Sequence, residues 1–222
     1  MLASLSKRLF WRQHLVEAQA QLQRLKTELP TVEMMMAVPF LFQGKGYYRT
    51  LELKQNMVEL LGLVNLLRAH KLERVCEIGT FKGGTLYIWC QLAAPNAQII
   101  SVDLPGGQFG GGYSERSIPF FQSFCQTGQT LHCLRGNSHH KTVRSEFQHT
   151  LDGAELDFLF IDGDHSYAGA LADLRLVAGS RVILADDCCN QEVRAAVEVF
   201  AAEQARTVEY FDDGLRKGAI LT

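Results

Sequence analysis

No run of 18 consecutive apolar residues occurs in this 222-residue chain, and Met1 to Arg12 carries Lys7, Arg8 and Arg12 without a long apolar core or a small-residue cleavage site. Neither a membrane span nor a secretory leader is expected. Charge of one sign is equally scarce: 22 Lys and Arg stand against 24 Asp and Glu, so no overall field recruits nucleic acid or an acidic membrane. The six cysteines, Cys76, Cys90, Cys125, Cys133, Cys188 and Cys189, show no C-x-x-C spacing, and several lie in apolar segments. A reducing, cytoplasmic setting follows, and a place in the wall of the site or in the packing is favoured over a soft-metal role for Cys188 and Cys189. Internal repeats and low-complexity linkers are missing too, which leaves one α/β domain with an N-terminal extension.

The extension is placed at residues 1–44 and the main domain at 45–222. Leu5 to Leu29 reads as a loosely amphipathic helix that Pro30 ends, covering either the domain or a partner subunit. Thr31 to Thr50, rich in Met and aromatic residues, offers either a conformable wall for a bound molecule or a core-packing connector. Leu51 to His70 is helix-like. Strands are then expected at Arg74 to Ile78, Ala97 to Val102, Leu131 to Arg135, Leu156 to Ile161 and Arg181 to Ala185. Helical stretches alternate with them: Thr85 to Leu92, Ser114 to Thr127, Thr142 to Leu151, Tyr167 to Leu176 and Gln191 to Gln204. That alternation implies a parallel sheet covered on both faces. Thr207 to Phe211 and Lys217 to Leu221 flank Asp212-Asp213-Gly214, a hairpin signal. Pro105 to Tyr113, with five glycines in nine residues, reads as a mobile loop near a crevice.

Chemistry is expected where the strands end, because an open α/β sheet binds its ligands there. Phe158-Leu159-Phe160-Ile161 runs into Asp162-Gly163-Asp164-His165, and Val182-Ile183-Leu184-Ala185 runs into Asp186-Asp187. Apolar strands have no need of such endings. At the first strand, Glu77-Ile78-Gly79-Thr80-Phe81-Lys82-Gly83-Gly84-Thr85 forms a glycine-containing turn into a helix, whose first N–H groups face a ligand without internal partners. It is neither the G-x-G-x-x-G fingerprint, since Phe81 stands at the middle glycine, nor a phosphate loop. Glu77 disfavours pyrophosphate and welcomes a cationic or zwitterionic ligand. Asp103, 24 residues after Gly79, stands where an acid can accept from both hydroxyls of an adenosine ribose. Structural roles remain open for Glu77 and Asp103.

With these motifs the chain resembles the class I methyltransferases that use S-adenosylmethionine (SAM), and among them the metal-assisted small-molecule O-methyltransferases of the macrocin and catechol type. Phe160-Ile161-Asp162-Gly163-Asp164-His165-Ser166-Tyr167 is similar to a motif of the cephalosporin-hydroxylase-like and macrocin-methyltransferase-like group, and the likeness runs from about Lys45 to the end. The resemblance implies a Rossmann-like, doubly wound sheet of seven strands with an antiparallel final strand. It places Glu77, Gly79 and Thr80 at the methionine end of SAM, Thr85 on the helix beside the pocket and Asp103 on the ribose. Asn137 and Ser138 then flank the adenine, and Asp164 is a further cofactor candidate.

Asp162, Asp186 and Asp187 match the family's metal ligands, hard oxygens suited to Mg²⁺. His165 stands where catechol-type relatives carry a lysine base, and neutral imidazole can take a proton near pH 7. His139 and His140 could reach the substrate or be a solvated pair. Closer relatives usually carry Pro-Gly-Gly before the fifth strand and His-Asp after it; this chain has Val177-Ala178-Gly179-Ser180 and Ala185-Asp186, which weakens any transfer of macrolide-sugar chemistry. The expected reaction is Mg²⁺-assisted methylation of a hydroxyl on a small metabolite such as a sugar, glycoside or vicinal diol, by a homodimer. The alternatives are an oxidative enzyme on the same scaffold, a non-catalytic metabolite-binding or assembly protein and, more distantly, a nicotinamide dehydrogenase.

Overall fold

The computed structural model describes residues 10–106, 111–177, 179–212 and 217–222. Seven strands make one sheet: β1 (Arg74–Ile78), β2 (Gln98–Asp103), β3 (Thr130–Arg135), β4 (Phe158–Ile161), β5 (Val182–Ala185), β6 (Val208–Asp212) and β7 (Lys217–Leu221). Their order is β3-β2-β1-β4-β5-β7-β6, and β7 runs antiparallel to both of its neighbours. This is the doubly wound class I architecture with its reversed last strand. Because β1 pairs β2 on one side and β4 on the other, the chain changes winding direction between β1 and β4, which opens a crevice at their carboxyl ends.

Strand alternation assigns the two faces. Val75, Phe158 and Phe160 point into a core shared with helices α1 (Trp11–Glu28), α4 (Met57–Leu67), α5 (Gly84–Leu92) and α6 (Ile118–Gln122). Cys76, Ile78, Leu159 and Ile161 point the other way, against α7 (Lys141–Leu151), α8 (Tyr167–Leu176) and α9 (Gln191–Gln204). Central strands buried on both faces read as continuous apolar runs, as β4 and β5 do.

The N-terminal segment belongs to the first core. Helix α1 buries Ala18, Leu22 and Leu25, while Gln19 Nε2 donates to the Pro119 carbonyl and Lys26 Nζ to that of Phe124. Its buried face covers its own domain. Helices α2 (Val32–Met35) and α3 (Val38–Leu41) follow, and Met36, Val38, Phe42 and Tyr48 are core residues. These four side chains of the stretch serve packing.

Two expected helices are shorter than their apolar spacing suggested. Asn56 caps α4, its side chain accepting from Val58 N–H, so Leu51 to Asn56 is an irregular strap and not a first turn and a half of helix. The sequence Asn56-x-x-Glu59 is an amide variant of the capping box, a signal the apolar periodicity overrode. In the 114–127 stretch a 3₁₀ turn (Glu115–Ser117) precedes the five-residue α6, with Pro119 in the first turn. The expected turn at Asp213-Gly214 and the centre of the glycine-rich loop, 107–110, lie outside the described residues.

Candidate active site

The carboxyl ends of β1, β2, β3, β4 and β5 surround one cavity of about 340 Å³. Gly79, Thr80, Phe81 and Thr85 line it from the β1 turn, Asp103 from β2, Asn137 and Ser138 from the segment after β3, Asp162, Asp164 and His165 from β4, and Asp186 and Asp187 from β5. The fold thus brings every expected site residue except Glu77 to the wall of a single space.

Glu77 needs a correction of place. It is fully buried within β1, its Oε1 accepting from the Trp89 indole N–H at 2.9 Å, and it is not part of the cavity wall. The strand's pleat turns residue 77 toward the α5 side. Burial pushes its carboxyl up to about 8, opposed by the neighbouring Thr85 and Thr80 hydroxyls and the Trp89 N–H. Contact with the cavity therefore runs through Thr80 and Thr85, which touch both. Thr80 Oγ1 also lies 2.7 Å from Ser101 Oγ, and Ser101 3.0 Å from the Tyr113 hydroxyl, so a polar network supports the floor.

Gly79 shows why the first turn demands glycine. Its φ is +94°, and a Cβ there would stand 1.9 Å from the Asp162 carbonyl oxygen. The missing side chain lets the β1 turn sit directly on the β4 turn. Asp103 fastens the next two loops: its Oδ2 accepts from Phe81 N–H at 2.6 Å and Gly112 N–H at 3.2 Å, and its Oδ1 from Leu104 N–H at 2.7 Å. Burial raises its pKa and these N–H groups oppose the rise. A carboxylate has about four lone-pair sites, and with three taken one hydroxyl donor can still be accepted.

At the opposite end, His165 stands between two acids, with Nε2 3.2 Å from Asp162 Oδ1 and Nδ1 3.5 Å from Asp187 Oδ2. Ligand atoms of Asp162, His165 and Asp187 lie within 4.8 Å of one another, close enough to share an ion. Asp186 is drawn in differently. Its Oδ1 accepts from Asp187 N–H, and its Oδ2 accepts from Gln55 Nε2 at 3.0 Å, an amide that also donates to Asp162 Oδ2 at 2.9 Å. Burial pushes Asp162 up to about 6 against its bond from His165, with Asp186 and Asp187 adding to the rise. The Asp162 bond in turn raises His165. Asp187 adopts φ +54°, a left-handed conformation in which its side chain leaves the strand line toward His165.

The strap supplies residues that the sequence reading did not single out. Glu52, Lys54 and Gln55 line the cavity, and the strap backbone crosses α5 so closely that a Cβ on Gly84 would stand 2.2 Å from the Glu52 carbonyl oxygen. His139 lines the wall as well, with Nε2 3.2 Å from Asp173 Oδ1, whereas His140 does not. Asp164 lines the cavity while its Oδ1 closes the turn onto Ser166 N–H. Cys188 is core and Cys189 is exposed, neither on the wall.

The family model described as methyltransferase domain matches residues 76–188, just over half of the chain. The chain belongs to this methyltransferase family. Among solved structures, the methyltransferase is similar to the O-methyltransferase TomG from Streptomyces achromogenes, involved in tomaymycin synthesis and solved with SAM. The TM-score is 0.54 at 16% identity, over 76% of this chain and 81% of that one. An O-methyltransferase from Bacillus cereus, solved with SAH, aligns with a TM-score of 0.55 at 14% identity, over 94% of this methyltransferase and 99% of the other. At such identities the likeness is one of fold. No curated protein matches the chain. No helix among the described residues is long and apolar enough to cross a membrane.

Proposed function

We propose that this methyltransferase moves the methyl group of SAM to a hydroxyl of a small metabolite, with a divalent cation, Mg²⁺, at the acidic end of the cavity. One observation carries the reading: an adenosine-type turn with Asp103 and a carboxylate–imidazole cluster face the same cavity. The donor set fits both groups. Asp103 offers an acceptor for a ribose hydroxyl, with Gly79, Thr80 and Thr85 toward the methionine end, Asn137 and Ser138 toward the adenine, and Asp164 as a further cofactor contact. Asp162, Asp186 and Asp187 offer three hard oxygen donors, the chemistry Mg²⁺ prefers.

SAM supplies an electrophilic methyl carbon, and Mg²⁺ supplies Lewis acidity that lowers the pKa of a hydroxyl bound to it. The protein's own part is to place and deprotonate that hydroxyl. His165 is half exposed, so an acceptor can reach it. Its looser contact, Nδ1 to Asp187 at 3.5 Å, makes Nδ1 the nitrogen free to turn to an acceptor proton. The strap side chains Glu52, Lys54 and Gln55 close the same end and restrict which acceptor enters. Sugars, glycosides and vicinal diols carry the adjacent oxygens that such a site would orient. The six free thiols support a reducing, cytoplasmic setting. Exposed Phe40, Leu41 and Val58 offer apolar surface for the homodimer that belongs to the same reading.

Calorimetry with SAH, followed by mass analysis of products from a panel of hydroxylated acceptors, tests the function. A gain of about 14 mass units with loss of turnover in EDTA is expected. No SAH binding at about 1 mM, or product that has gained about 16 units, would refute it.

A further inference from the structure

Helix α8 carries an acid in the middle of its apolar face. Asp173 is 1% exposed, among the core residues Ala170, Leu171 and Leu174. Burying a carboxylate is unfavourable unless hydrogen bonds compensate, so its partners explain its presence. Oδ1 accepts from Ser138 Oγ at 2.6 Å and stands 3.2 Å from His139 Nε2. Oδ2 has no hydrogen-bond partner among the described residues, and it abuts the β4 turn: a Cβ on Gly163 would lie 3.0 Å from it. Ser138, His139 and Gly163 all line the cavity, while Asp173 stands behind them. One buried carboxylate therefore supports two wall segments, the one after β3 and the one after β4.

We propose that Asp173 is a positioning residue for the methyl donor: acting through Ser138 and His139 it fixes the adenosine-side wall, and it makes donor affinity depend on the charge of His139. The inference rests on the donor reading above and deepens it. The groups facing the His139 ring are Asp173 on α8, Asp164 in the β4–α8 turn and the Gly169 backbone. Its own backbone N–H is held by Asn137 Oδ1. The bond to Asp173, then the nearby negative charge, holds the imidazole above its usual value against the pull of burial. Below that raised value the imidazolium binds Asp173 by a charge-assisted bond, and above it the bond weakens and the wall loosens.

The test is SAH calorimetry on the full chain from about pH 6 to about pH 9, for the wild type, His139→Gln and Asp173→Asn. Wild-type Kd is expected to rise roughly tenfold as pH increases through the histidine titration, the loss of one charge-assisted bond. Both variants should bind weakly at every pH with a flat profile. If Asp173→Asn fails to fold, His139→Gln alone decides, because that residue is at the surface of the wall. A pH-independent wild-type Kd, or His139→Gln matching the wild type in affinity and profile, overturns the proposal while leaving the donor site standing. A wild type that binds no SAH at any pH overturns the donor reading and this proposal together.

Discussion

The indole N–H of Trp89 donates to Glu77 Oε1 across the packed face between α5 and β1, where neither side chain meets solvent. The second oxygen, Oε2, has no hydrogen-bond partner among the described residues. A protonated carboxyl tolerates this place better than an ionised one, which is the physical content of its raised pKa.

Stability should therefore fall as pH rises between the ordinary glutamate value and about 8, because the folded state holds a proton that the unfolded chain has released. Glu77→Gln keeps an acceptor for Trp89 and removes the titration. Denaturant unfolding at intervals across that range is expected to show a downward slope in the wild type, on the order of a few kcal/mol in total, that the variant lacks. Parallel slopes would show Glu77 to be ionised in the folded protein.

Cation binding separates two donor sets. If Asp162, Asp186 and Asp187 hold Mg²⁺ and His165 is the base, Asp186→Asn should weaken Mn²⁺ binding at least tenfold, read by calorimetry, while His165→Ala keeps it within about threefold and loses turnover. The reverse pattern would assign the ion to Asp162, His165 and Asp187, the tight group in the structure.

Asp103 anchors three loop N–H groups, and an amide in its place would turn donors against them. Asp103→Asn is expected to raise the Kd for SAH by tenfold or more, about 1.4 kcal/mol per decade. An unchanged Kd would exclude Asp103 from the donor site.

Two helical glycines should respond to alanine with opposite signs. Gly62, inside α4, has nothing within 4 Å of an added Cβ, so Gly62→Ala should stabilise by about 1 kcal/mol. Gly84→Ala drives a methyl into the strap backbone at Glu52 and should destabilise by about 1–3 kcal/mol despite the better helix propensity. Thermal melts of both variants decide the matter.

What could be read from the sequence follows period and punctuation. The central strands β4 and β5 were legible as apolar runs ending in acids, because burial on both faces leaves no polar alternation to confuse them. The acids after them were legible because apolar strands have no use for such endings. Glu77 was misplaced because a residue near the end of a strand can face cavity or core, and only the pleat decides which. Gln55 was hidden by periodicity, since Leu51, Leu53 and Met57 continue a helical spacing that Asn56 interrupts. Asp173 escaped notice because its partners, Ser138 and His139, are more than 30 residues distant in the chain. Burial of a charge across such a separation leaves no local pattern.

The strap precedes residue 76, where the match of the family model begins, yet its amide reaches the two aspartates at the far ends of β4 and β5. The front wall of the cavity and the segment that the family model matches are thus written in separate, consecutive passages of the gene product. On the proposed function, exchanging the half-dozen positions from 51 to 56 is expected to retune acceptor preference without changing the residues proposed to hold the methyl donor, a route by which one scaffold can diversify its substrates.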